Sequence, residues 1–167
     1  MRGRVLRLVV VAGLAVLATG LTLSATVGAQ GERRGGPKGK AALSANLSGT
    51  EVVSDAGGDP DGRGRARVQL LPRYEAVCFT LRWRGLTTPH GAHIHRGARG
   101  QNGPHEVDLF PPGPARDRGC VDGVERSLLR ELARHPERFY VAVHTADRPD
   151  GAIRGQLGRR GRNLRTR

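Results

Sequence analysis

Aromatic side chains are scarce: three Phe, two Tyr and one Trp serve a chain of 167 residues. So few rings exclude a nucleic-acid platform in which aromatics alternate with basic residues, and they leave only a thin supply of bulk for a core. Also missing are G-x-S-x-G, a P-loop, H-E-x-x-H and C-x-x-C, so no catalytic motif with a sequence signature is present. After residue 29 no apolar run is long enough to cross a membrane. Cysteine is limited to Cys78 and Cys120.

What is present begins with MRGRVLRLVVVAGLAVLATGLTLSATVGAQ. Arg2, Arg4 and Arg7 precede an apolar run, and Val27-Gly28-Ala29 forms a small-residue cleavage site. Residues 1–29 are therefore expected to be a signal peptide. The competing reading is an uncleaved anchor, and either one places the body outside the cytoplasm. Export makes a Cys78–Cys120 disulfide permissible; two unrelated buried thiols are the alternative. The chain's formal net charge is +13, but its excess sits at the ends. Residues 30–40 form a basic, Gly-rich linker, and residues 158–167 carry five arginines and no acid. Residues 41–157 hold 16 basic and 14 acidic side chains, close to neutral. The two ends read as arms, either solvated or holding an anionic surface polymer through arginine.

The body alternates with period two, the pattern of half-buried strands. Leu43, Ala45 and Leu47 share one face of AALSANLS. Ala66, Val68 and Leu70 do so in RARVQL, and Val77, Phe79, Leu81 and Trp83 in EAVCFTLRW. Gly/Pro-rich clusters separate these runs, and FYVAVHT and AIRGQL close the series. One helix is expected near 125–134, with Asp122 and Glu125 as a capping box ahead of Leu128, Leu129 and Leu132. About seven short antiparallel strands predict an all-β fold, a Greek-key β-sandwich or small barrel.

Two strands carry candidate chemistry. In GAHIHRG, His93 and His95 point to one face and Ile94 to the other. In FYVAVHT, His144 lies opposite the row of Phe139, Val141 and Val143. If both strands bury their aliphatic rows in one core, all three imidazoles face outward, and they converge if the strands are neighbours. Three imidazoles suit copper or zinc; the competing reading is a surface cluster bonded to loops. His90 and His105 are expected in loops, and they and His135, just before Pro136, are given structural or solvent roles. Asp147-Arg148-Pro149-Asp150-Gly151 reads as a turn.

Taken in order, the series Leu47-Ser48-Gly49 with Glu51-Val52, then Ala92-His93-Ile94-His95-Arg96-Gly97, Tyr140-Val141 with Val143-His144-Thr145, and Pro149 and Gly151 with Ile153-Arg154-Gly155-Gln156-Leu157 resembles the CHRD domain. That domain is named after chordin and also occurs alone in secreted bacterial proteins. The resemblance covers residues 41–157, with Gly97, Thr145, Gly151, Arg154 and Gly155 as motif positions. Val53, Ala142 and Ala152 depart from residues common in the family. It implies an immunoglobulin-like β-sandwich, an extracellular setting and no established catalytic activity. The expected function is thus a secreted, non-enzymatic module binding an extracellular protein or an anionic envelope polymer. A second resemblance gives an alternative. His93-Ile94-His95 and Val143-His144-Thr145-Ala146-Asp147 are similar to the copper-ligand stretches of copper/zinc superoxide dismutase. That likeness implies copper on His93, His95 and His144. The zinc subsite has no counterpart, since the intervening stretch offers only His105 and scattered acids.

Overall fold

The computed structural model describes residues 40–159. The expected signal peptide (1–29), most of the expected linker and residues 160–167 lie outside them. The elements run β1 (Ala41–Ser48), β2 (Arg63–Leu71), β3 (Ala76–Arg84), β4 (Pro89–Arg96), β5 (His105–Phe110), β6 (Arg118–Val121), α1 (Arg126–Arg134), β7 (Phe139–Thr145), β8 (Arg148–Gln156) and β9 (Gly158–Arg159). Single 3-10 turns occupy Gly49–Glu51 and Pro136–Arg138.

All strands belong to one antiparallel sheet in the order β5-β4-β7-β8-β1-β2-β3-β6, with β9 added to β1. The sheet curls so that β5 and β6, its two ends, approach each other. The expected all-β layering is thus achieved by one nearly closed sheet. The alternating rows turn inward as the period-two pattern requires: Leu43, Ala45, Leu47, Ala66, Val68, Leu70, Val77, Phe79 and Leu81 are all buried. Ile94, Val141, Val143 and Ile153 complete the core from the other half, and Leu129 and Leu132 of α1 plug it. At about 25 cal/mol per Å² of apolar surface removed from water, aliphatic burial of this kind drives the fold despite the thin aromatic supply.

Three sequence expectations need correction. The helix starts where expected, but Glu125 is its N-cap and makes no side-chain cap bond, so the Asp122–Glu125 capping box is not formed. What seats the helix is Arg96, whose guanidinium donates to both Glu131 carboxylate oxygens (2.6 and 2.9 Å) and to Glu106 (2.6 Å). His90 and His105 lie on β4 and β5, not in loops. The turn expected over 147–151 is confined to Ala146 and Asp147, and Arg148–Gly151 already belong to β8. The expected disulfide is formed, with Cys78 and Cys120 directly opposite each other on β3 and β6.

Candidate metal centre

β4 and β7 are hydrogen-bonded neighbours, and register decides what meets on their outer face. His93 opposes Ala142, His95 opposes Tyr140, and Gly91 opposes His144. Because Ile94, Val141 and Val143 fill the interior, His93, His95 and His144 share the face away from it. Their rings gather: centroids lie 5.6 Å apart for His93–His95, 4.9 Å for His93–His144 and 6.1 Å for His95–His144. One ring nitrogen from each falls within 4.8 Å of the others, the spread a single ion can draw together.

These imidazoles do not stand on open surface. All three are half-buried, beside the loop that joins β4 to β5 and the start of β8. Those segments supply the partners that orient the rings. His95 Nδ1 lies 3.1 Å from the Gly103 carbonyl oxygen, and His144 Nδ1 lies 2.8 Å from that of Pro149. A carbonyl only accepts, so each Nδ1 carries the proton and each Nε2 presents a lone pair. Both Nε2 atoms are buried and have no hydrogen-bond partner. A backbone carbonyl fixing one nitrogen while the other is left bare is the usual support of a metal-bound histidine.

The electrostatics agree with ligand chemistry. Burial, with the neighbouring His144 next, pushes the His93 imidazole down to about 4, although Asp108 opposes the shift. Burial also lowers His95 and His144, each against the pull of its carbonyl bond. The three rings are therefore neutral at pH 7, the form that binds a metal.

Several positions of the resemblance noted above support the site from around it. Arg154 is 3% exposed, and its guanidinium carbon lies 3.5 Å from the Tyr140 ring centroid. Tyr140 in turn stacks on His95, with centroids 4.9 Å apart and planes 8° from parallel. The same guanidinium donates to the carbonyls of Ala98 (3.0 Å) and Gln101 (2.7 Å) and to Asn102 Oδ1 (3.1 Å). It therefore pins the loop over residues 97–104, which carries Gly103. Gly97 opens that loop, its carbonyl accepting from Gln156 Nε2 at 2.8 Å. Gly155 lets β8 close on β1, because a Cβ there would lie 2.0 Å from the Asn46 carbonyl oxygen. Buried Thr145 ends β7, and Gly151 follows the first residues of β8, where the Pro149 carbonyl meets His144.

Sequence reading missed His105. Its ring lies 5.2 Å from that of His93 and 6.1 Å from that of His95. A bulge in the β4–β5 ladder puts Asp108 opposite His93 and His105 opposite His95. His93, His105 and Asp108 thus form a second, more exposed grouping that shares His93 with the first. Asp108 Oδ1 lies 3.4 Å from His93 Nε2. His90 and His135 do not join the three-histidine group. Beside the site opens a cleft of about 720 Å³, lined by His95, Tyr140, Asn102, Ser54, Asp55 and Asp150 among others.

The fold and site define an all-β domain that carries a partly covered cluster of neutral histidines on one outer face. Comparison with known proteins makes the assignment specific. The CHRD domain profile matches residues 43–157, and the chain belongs to the CHRD domain family. No match was found among curated proteins or among solved structures. Among the described residues no helix is long and apolar enough to cross a membrane.

Proposed function

We propose that this chain is an exported CHRD module that holds one copper ion on His93, His95 and His144. The observation that carries the proposal is the pair of buried, unpartnered Nε2 lone pairs on His95 and His144, each fixed by a carbonyl bond at Nδ1. Leaving two such acceptors dry and unpaired costs roughly 1–3 kcal/mol each, and an ion between them removes that cost. All-imidazole donors suit copper or zinc, and the affinity order of divalent metals places copper above zinc. A bound copper ion would supply one-electron redox capacity; the residues here bind it, orient it and limit water. Export is supported by the leader-like first 29 residues and by the disulfide. The module's expected work outside the cell, binding without catalysis, is compatible with a resident ion.

The test is metal analysis of untagged protein after incubation with copper and zinc together, followed by desalting. About one equivalent of copper is expected, lost in the His144→Ala variant, with nitrogen hyperfine structure in the copper spectrum. Less than about a tenth of an equivalent of either metal overturns the proposal. One equivalent of zinc with copper excluded overturns the choice of metal.

A further inference from the structure

The outer face of β2 and β3 carries a second feature, unrelated to the histidines. Arg63, Arg65 and Arg67 on β2 and Arg82 and Arg84 on β3 are all exposed. Register sets Arg63 directly opposite Arg84 and Arg65 directly opposite Arg82. Like charges directly opposite each other destabilise a sheet; Arg63 donates to the Pro60 and Gly62 carbonyls (2.9 and 2.7 Å), and the side chains on the adjoining strands bring no carboxylate. β1 presents Ser48, Asn46 and Ser44 beside Arg63, Arg65 and Arg67. β6 adds Arg118 beside Thr80. The nearby acid, Asp117, accepts two hydrogen bonds from Arg118. Among the described residues no ion pair engages Arg65, Arg67, Arg82 or Arg84. In a body whose charges almost balance, four acids, Glu106, Asp108, Glu125 and Glu131, gather around β5 and α1, while Asp117 lies beside Arg82, its carbonyl accepting from the Leu81 N–H at 2.7 Å.

We propose that this arginine grid docks a linear phosphodiester polymer of the cell envelope, one whose repeating unit lacks rings. Guanidinium groups bind phosphate oxygens in paired, charge-assisted hydrogen bonds. Neighbours on the grid lie about 5 Å apart across the strands and about 7 Å apart along each strand, so each phosphate of an extended chain reaches two arginines. The face offers no aromatic surface for a base or a sugar ring. Phe79 is buried beneath it, Trp83 packs against the core, and exposed Tyr74 sits in the turn at the end of the hairpin away from Arg63 and Arg84. The chain's own remaining segments offer the grid almost no carboxylate. Residues 1–39 contain one acid, Glu32, and residues 160–167 contain none.

The experiment measures binding of fluorescently labelled poly(glycerol phosphate) to the full mature protein across a salt series. The Arg65→Gln/Arg82→Gln variant is expected to bind about tenfold more weakly, with the salt slope lowered by about one, since the opposed pair shares one phosphate and each lost phosphate contact removes about one released counterion. Changing all five arginines to glutamine abolishes binding, while Arg65→Lys/Arg82→Lys stays within about threefold. Cooperative thermal melts with midpoints at or above the parent's certify the fold of each glutamine variant, and removing residues 160–167 weakens binding less than threefold. The proposal falls if the five-glutamine variant binds as the parent does, or if tail removal abolishes binding. It falls too if polygalacturonate or oligothymidylate binds as tightly as poly(glycerol phosphate). A change in self-association on substitution, without loss of polymer binding, would make the face a contact between copies and also overturn it.

Discussion

Arg154 lies flat over Tyr140, its guanidinium carbon 3.5 Å from the ring centroid. The relationship links a buried cation to the metal centre, because the other side of Tyr140 stacks on His95. A buried guanidinium without a carboxylate partner is costly unless its donors are satisfied, and here they are satisfied by the loop that holds His95.

Arg154→Ala is therefore expected to damage loop and site together. Loss of the bonds to Ala98, Gln101 and Asn102 frees the loop, and the Gly103 carbonyl no longer fixes the His95 ring. Copper affinity falls about 10- to 100-fold, the usual penalty for removing a group that orients a ligand. Stability falls by roughly 3 kcal/mol as polar groups lose partners in a buried setting. Arg154→Lys keeps the charge but not the planar fork, so it recovers less than half of either loss. Competition titration and urea melts measure the two effects; a folded Arg154→Ala protein with parental affinity would break the proposed link.

The metal-free protein should lose stability as the pH falls from about 6.5 to about 4. Its three site histidines have folded values below the ordinary imidazole value, and His93 lies at about 4. Between those limits the unfolded chain binds more protons than the folded one, so stability rises with pH across the window. The stabilisation is complete above about 6.5 and is lost as the pH drops through the folded values. Urea midpoints between pH 7.5 and 4 measure the slope, and a His93→Asn/His95→Asn/His144→Asn variant flattens it. An equal slope in parent and variant would assign the effect to other groups.

The Cys78–Cys120 bond spans 42 residues of sequence and ties the terminal strand β6 to β3. Closing a loop of that length stabilises by about 4 kcal/mol in the chain-entropy model. Cys78→Ala/Cys120→Ala should lose about that much in urea melts. Copper stoichiometry stays at one in conditions where the variant is folded, because the histidines lie on β4 and β7. Loss of the metal from folded variant protein would couple the two halves of the sheet more tightly than the topology suggests.

Much of this molecule could be read from side-chain parity. Ile94 between His93 and His95, and the row of Phe139, Val141 and Val143 opposite His144, placed three imidazoles on one side of the sheet. Parity could not show that the rings would be covered. That depends on carbonyls of Gly103 and Pro149, which any residue could supply and no residue type announces. The role of Arg154 was hidden for the same reason, since its partners are mostly backbone atoms. The failed capping box had a local pattern that fitted, but Arg96 and its pairs to Glu131 and Glu106 settle the helix from outside it. The arginine grid lay within sight as alternating arginines, yet its density depends on the β2–β3 register.

His105 shows the effect of register most directly. In HEVDLF the residues His105, Val107 and Leu109 share one parity, and a regular strand would send His105 inward with the two aliphatics. The bulge between the Ile94–Val107 and His95–His105 pairs breaks that rule and turns the ring toward His93. Bulges re-aim single side chains in this way and leave no mark in composition. If the three-histidine group is the metal site, His105 is a neighbour and not an essential ligand. His105→Ala should then keep one equivalent of copper and change affinity less than about fivefold, whereas His95→Ala loses more than a hundredfold. The discriminating measurement is the nitrogen hyperfine pattern of the copper spectrum, which should be the same in parent and His105→Ala. Loss of one coupled nitrogen in His105→Ala would instead make His105 a fourth ligand and shift the centre toward β5.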